Sequence, residues 1–138
     1  MWIPMMRWIG ASAVVVATLS LAYAHHSITG VYDTRREVAV EGAVTEFHFV
    51  APHPFVLARV DRNGVAEQWR FDMDNRNEMR EIGVTADTLR AGDRVVVAGH
   101  PAREEPRRLY IQRFERSSDG FSFDIVDRQP RLRRAPAR

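Results

Sequence analysis

The chain has 138 residues, 20 basic and 18 acidic, and no cysteine, which excludes thiol catalysis, disulfide exchange and disulfide stapling. Every basic residue is arginine: between His25 and Asp127, 14 arginines face 18 carboxylates, while Arg128, Arg131, Arg133, Arg134 and Arg138 make the C-terminus cationic. The pI of about 9.6 therefore belongs to the tail, and the mildly acidic body lacks the clustered basic face that a nucleic-acid groove needs.

Residues 1–24 carry one charge, Arg7, then an apolar run from Trp8 to Leu21, then small residues at Ala22 and Ala24. This is the layout of a secretory signal peptide cleaved between Ala24 and His25. An uncleaved anchor is the competing reading, but the run is shorter than the roughly 20 residues a bilayer span requires. No cysteine follows the run and no arginine pair precedes it, so a lipid anchor and export of a folded protein are both disfavoured. The expectation is a periplasmic or secreted protein with no integral membrane segment after cleavage.

The body, residues 25–127, reads as one domain. Glu37 to Val50 is β-rich, and Gly42 within it suggests a bulge or strong bend. Pro52 and Pro54 end that strand, and Phe55 to Asp61 forms the next. Asn63-Gly64 is the strongest short hairpin signal in the chain. Glu67 to Met73 alternates, with Trp69, Phe71 and Met73 facing the core. Asp74 is placed to cap a short helix over Asn75 to Ile82, stopped by Gly83, and Thr85 to Leu89 adds a helical turn. Strands over Arg94 to Gly99 and Leu109 to Glu115 follow, then a short one over Phe121 to Val126. Residues 128–138, with Pro130 and Pro136, read as a disordered Arg-rich tail, either merely solvated or in weak contact with acidic surfaces. The order predicts an all-β domain with a small α contribution, a five- to six-stranded OB-like antiparallel barrel with one short helix. A plain six-stranded barrel or sandwich is the alternative.

Several short pieces occur together: His25-His26-Ser27, Val31-Tyr32-Asp33, Val38-Ala39-Val40-Glu41-Gly42, Pro52-His53, Gln68-Trp69, Leu89-Arg90-Ala91-Gly92-Asp93 and Gly99-His100-Pro101. In order and spacing, His25 to about Phe123 resembles an uncharacterised family of small secreted bacterial proteins, a domain of unknown function. The family usually shows Asn-Pro-His where this chain has Ala51-Pro52-His53, so any role of that asparagine is lost here. The resemblance implies a compartment and a fold, and no activity.

Five histidines lie at 25, 26, 48, 53 and 100. Cleavage after Ala24 would leave His25 with a free amine and an imidazole on one residue, a pair that chelates Cu(II). His26 offers a second mode through the amine, the intervening amide nitrogen and its own ring. His53 is the best internal partner, because the flanking prolines bias it to an extended conformation. His25, His26 and His53 are therefore the candidate metal ligands, with copper as the metal. Each also has a plain structural reading, as a frayed terminus or a rigid turn, and His48 and His100 read as surface and turn residues. Structural zinc is disfavoured, since neither cysteine nor an HExxH spacing is present.

Two functions compete: a periplasmic copper-binding protein, and an envelope module that docks a protein or small ligand without metal, through the first hairpin and surfaces near Trp69 or Tyr110. An enzyme has least support. No nucleophile elbow or phosphate-cradling loop occurs, and Asp72 with Asp74 and Glu104 with Glu105 read as solvated charges.

Overall fold

Alternating burial sets the strands of the barrel. In β1 (Val38–His48) Val40 and Val44 turn inward, in β2 (Phe55–Arg62) Val56, Ala58 and Val60, and in β3 (Val65–Asp72) Trp69 and Phe71. The helix α1 (Arg76–Glu81) contributes Met79, β4 (Arg94–Pro101) Val95 and Val97, and β5 (Arg108–Arg116) Leu109, Ile111 and Phe114. These side chains, with Val84, Leu89, Phe121 and Phe123, form one hydrophobic cluster. Full burial of each is worth about 1.5–3 kcal/mol, which is how the domain dispenses with disulfides. The computed structural model describes residues 28–137; residues 1–24, expected as a signal peptide, and His25-His26 lie outside that range.

The strands run in the order β3-β2-β1-β4-β5, and a parallel pairing of β3 with β5, Arg70↔Arg108 to Asp72↔Tyr110, closes them into a five-stranded barrel. Antiparallel neighbours, one parallel seam and a helix between β3 and β4 make this the OB-type arrangement. β1 serves both halves: Val38 to Ala43 pair with β4, and Ala43 to His48 with β2. The bulge expected at Gly42 lies at Thr45, the extra residue between Val44↔Ala58 and Glu46↔Leu57. Gly42 sits where β1 changes partner, and a Cβ there would stand 2.8 Å from the Arg59 carbonyl oxygen, so close approach is the reason for the glycine.

Asn63 and Gly64 both have positive φ, 54° and 79°, as a two-residue hairpin turn requires. The helix cap is one residue later than expected: the Asn75 side chain accepts from the Asn77 N–H at 2.8 Å, while Asp74 accepts from the Asn75 N–H at 2.7 Å. Thr85 to Thr88 makes a single hydrogen-bonded turn, Thr88 N–H to Thr85 O, without a helix.

The larger correction concerns the C-terminus. Gln129–Arg134, expected as disordered tail, is strand β7, paired with β6 (Ser122–Val126), which extends the sheet beyond β5. The turn between them is Asp127-Arg128, with φ of 50° and 65°. It has the geometry of the Asn63-Gly64 turn without a glycine, and Pro130 is tolerated because β7 is an edge strand. Among the described residues no helix is long and apolar enough to cross a membrane.

Candidate functional site

One end of the barrel, where β3 ends and β5 begins, gathers most of the ionisable groups that leave the surface. Asp72 is on the face of β3 opposite Phe71, the polar face by alternation, yet it is only 5% exposed. The parallel seam puts it beside Tyr110, and Tyr32 folds over it: Tyr32 bridges to Ala102, Asp33 N–H donates to Pro101 O at 2.9 Å, and the Tyr32 and Tyr110 rings lie 5.4 Å apart. Asp72 then accepts from the Tyr32 hydroxyl at 2.7 Å, Arg108 Nε at 2.7 Å and Arg70 Nε at 2.8 Å. Arg108 also pairs with Glu105. Burial alone would push the Asp72 carboxyl up, but its hydrogen bonds from Arg70, Arg108 and Tyr32 together hold it below the usual range. Burial and the Asp72 contact push the Tyr32 hydroxyl up, so it stays protonated and donates.

Beside it, Asp74, 8% exposed, accepts from the Asn75 N–H and lies near the Tyr110 hydroxyl and Glu78 of α1. Burial and then Asp74 raise the Tyr110 hydroxyl. Burial, Asp74 and Glu81 raise the Glu78 carboxyl, while nearby His53 favours its charged form. The expectation that Asp72 and Asp74 are solvated is therefore overturned. Both are buried and hydrogen-bonded, because β5 and the segment at Tyr32 cover what a single strand would expose. A carboxylate gripped by two guanidiniums and a tyrosine is a poor proton acceptor, so Asp72 is a lock and not a general base.

The sign of the Asp72 effect is testable. A carboxyl held below its unfolded value, about 3.9, contributes stability above that pH and loses it as pH falls through the folded value. Asp72→Asn is expected to lower the urea midpoint at pH 7, with the gap to wild type closing below about pH 4. A gap unchanged down to pH 2.5 would show that the charge is not its source.

His53 is exposed in the 49–54 connection between β1 and β2, after a cis Ala51-Pro52 bond. Its neighbours are tied down: Arg76 N–H donates to Pro52 O and Met73 N–H to Pro54 O, both at 2.9 Å. His48 bonds Glu46 at 2.7 Å and stacks on Phe55, centroids 4.4 Å apart, and the Arg70 guanidinium lies 3.9 Å from the same ring's centroid. His100 lies within β4 rather than in the expected turn, and its Nδ1 is 2.7 Å from Arg36 O, a long-range contact with the segment ahead of β1. Trp69 and Tyr110, proposed from sequence as docking surfaces, are 6% and 5% exposed and offer no aromatic face. His48, Phe55 and Arg70 form a half-buried stack that joins three strands, so no single stretch of sequence announces it. Among the described residues no three His, Asp or Glu side chains converge to hold a metal. His25 and His26 lie outside them.

The model of a family of unknown function, DUF6152, matches residues 13–109. The chain belongs to DUF6152. No curated protein sequence matches this DUF6152 chain. Two solved structures resemble it: the ZRD-deleted mutant of TiaS in complex with agmatine, at 16% identity and a TM-score of 0.43 over 64% of the chain, and apo TiaS, a tRNAIle2 agmatidine synthetase, at 16% and 0.41 over 67%. The DUF6152 chain spans about a quarter of their length, 26% and 24%. The family match ends within β5, so the β6–β7 hairpin lies beyond it.

Proposed function

We propose that this protein is a small exported binding protein of the cell envelope that takes up copper through a processed N-terminal His25, with His26 and His53 as the further ligands. The observation that carries this reading is the anchoring of Tyr32 and of the loop bearing His53 to the same end of the barrel. Tyr32 is held by Asp72, the last residue of β3, and the His53 loop by Met73 and Arg76, which follow at once. Seven residues separate His25 from Tyr32, so the new terminus stays within about 25 Å of that anchor whatever its path. A histidine whose backbone is pinned on both sides loses little entropy when it ligates. The copper would be cargo or a resident ion held by nitrogen donors, which suit Cu(II).

The test is Cu(II) titration, in competition with a chelator of known affinity, of protein beginning at His25 and of a control with one alanine ahead of it. One tight site is expected, lost in the extended control and weakened tenfold or more by His53→Ala. Weak binding indifferent to both changes would remove the reading. The second reading is an envelope ligand-binding module without metal, supported by the half-buried His48–Phe55–Arg70 stack on the outside of β1–β3. It expects Phe55→Ala to abolish ligand capture while His53→Ala does nothing.

A further inference from the structure

The β6–β7 hairpin converts the cationic C-terminus from a loose tail into an ordered ribbon. Residues 128–137 contain four arginines and no carboxylate. β7 is the open edge of the sheet, and Arg131, Leu132, Arg133 and Arg134 are exposed along it. Asp124 of β6 is in register with Arg131 and also forms the ion pair with Arg133, at 3.4 Å with the arginine side chain 66% exposed. Both side chains therefore leave the hairpin on Asp124's face, where the carboxylate pairs with Arg133. An exposed pair of that length contributes little, so Arg133 can trade it for another anion. Val126, two residues along β6 on the same face, is 39% exposed beside the turn. An apolar tip next to guanidiniums is the composition of an interfacial element.

The edge itself argues against a protein strand as its partner. Pro130 has no N–H to donate, and a register shift between Ser122 and Phe123 leaves Arg133 as an unpaired extra residue, two devices that blunt strand addition. A second copy of β7 would bring arginines against arginines. What remains is a ribbon edge of exposed guanidiniums, and arginine's fork matches phosphate oxygens.

We infer that the β6–β7 hairpin docks the protein on a membrane surface rich in anionic phospholipid, with Arg131 and Arg133 taking the phosphate groups and Val126 at the interface. Basic side chains at such a surface contribute about 1 kcal/mol each, so removing two costs roughly thirty-fold in partitioning.

The experiment is co-sedimentation of the processed protein with phosphatidylglycerol–phosphatidylcholine vesicles and with phosphatidylcholine vesicles alone, at low and high salt. Expected are binding to the first only, salt sensitivity, and a roughly thirty-fold loss in Arg131→Gln/Arg133→Gln, whose thermal midpoint should match wild type because both side chains are exposed. Equal binding to both vesicles, binding to neither, or binding unchanged in the double variant would overturn the inference. Capture by polyglutamate but not by anionic vesicles would overturn it too, in favour of an acidic protein.

Discussion

Replacing Arg116 by alanine is expected to cost about 3–5 kcal/mol of folding stability, the usual result of removing one partner of a buried ion pair. Arg116, at the end of β5, is the largest fully buried side chain. Its Nε and Nη2 form a two-pronged contact with Asp119, at 2.9 and 2.7 Å, Nη1 donates to Thr88 O, and Asp93 lies 3.4 Å away. The guanidinium also faces the Phe121 ring, 5.4 Å from its centroid. The Asp119 carboxyl is held far below the ordinary range, first by these hydrogen bonds, and the arginine's own value is raised in turn. Alanine would leave the Thr88 carbonyl and two carboxylates short of a donor and open a cavity behind Phe121. Arg116→Lys keeps the charge but not the fork, and should recover only part of the loss. Urea unfolding at pH 7 measures both, and a loss below about 1 kcal/mol for the alanine variant would mean that the network does not hold this end of the barrel.

Gly99→Ala should be nearly as damaging, at about 3 kcal/mol, the upper end of overpacking costs. β5 carries a bulge opposite this point, since Ala98 pairs with Arg113 and Gly99 with Ile111, leaving Gln112 extra. The bulge drives β5 against β4. A Cβ on Gly99 would lie inside the van der Waals envelope of the Tyr110 carbonyl oxygen, with the Tyr110 carbonyl carbon at 2.9 Å and Ile111 Cα at 3.2 Å. All three are main-chain atoms, so no side-chain rotation relieves the clash. Gly64→Ala is the control: nothing lies within 4 Å of its Cβ, and the cost there is confined to a φ of +79°. Thermal unfolding compares the two, and a loss at Gly99 no larger than that at Gly64 would show that close approach to β5 is not what fixes the glycine at 99.

These positions show what one sequence makes legible. Local signals are legible: the alternation of Trp69 and Phe71 marks the inner face of β3, Asn63-Gly64 the hairpin, and Gly83 the end of the helix. Each acts through neighbours a few residues away. What escaped depends on pairs far apart in the chain. Asp72 looked solvated because alternation sets it outward, and only the seam with β5 and the fold-back at Tyr32 bury it. Arg116 follows Glu115 and precedes two serines, an exposed-looking context, yet it is fully enclosed. The Asp127-Arg128 turn carries no glycine, so nothing in the sequence ahead of strand β7 distinguishes it from a tail. Of the candidate ligands, His53 is found exposed on a pinned loop, while His25 and His26 lie outside the described residues.

The seam that closes the barrel also has a kinetic meaning. It joins Arg70, Phe71 and Asp72 to Arg108, Leu109 and Tyr110, 38 positions later, and β4 pairs with β1 across a longer gap still, from Ala43↔Arg94 to Val38↔Gly99. A growing chain can form the β1–β2–β3 meander early, but it has nothing to shut against until residue 110 has been made. Such non-local closures are slow, because the entropy of a long loop is lost before any contact rewards it. From residue 72, where β3 ends, to residue 110, where the seam is complete, the nascent chain can hold these strands only as an open sheet, and the barrel sets after that.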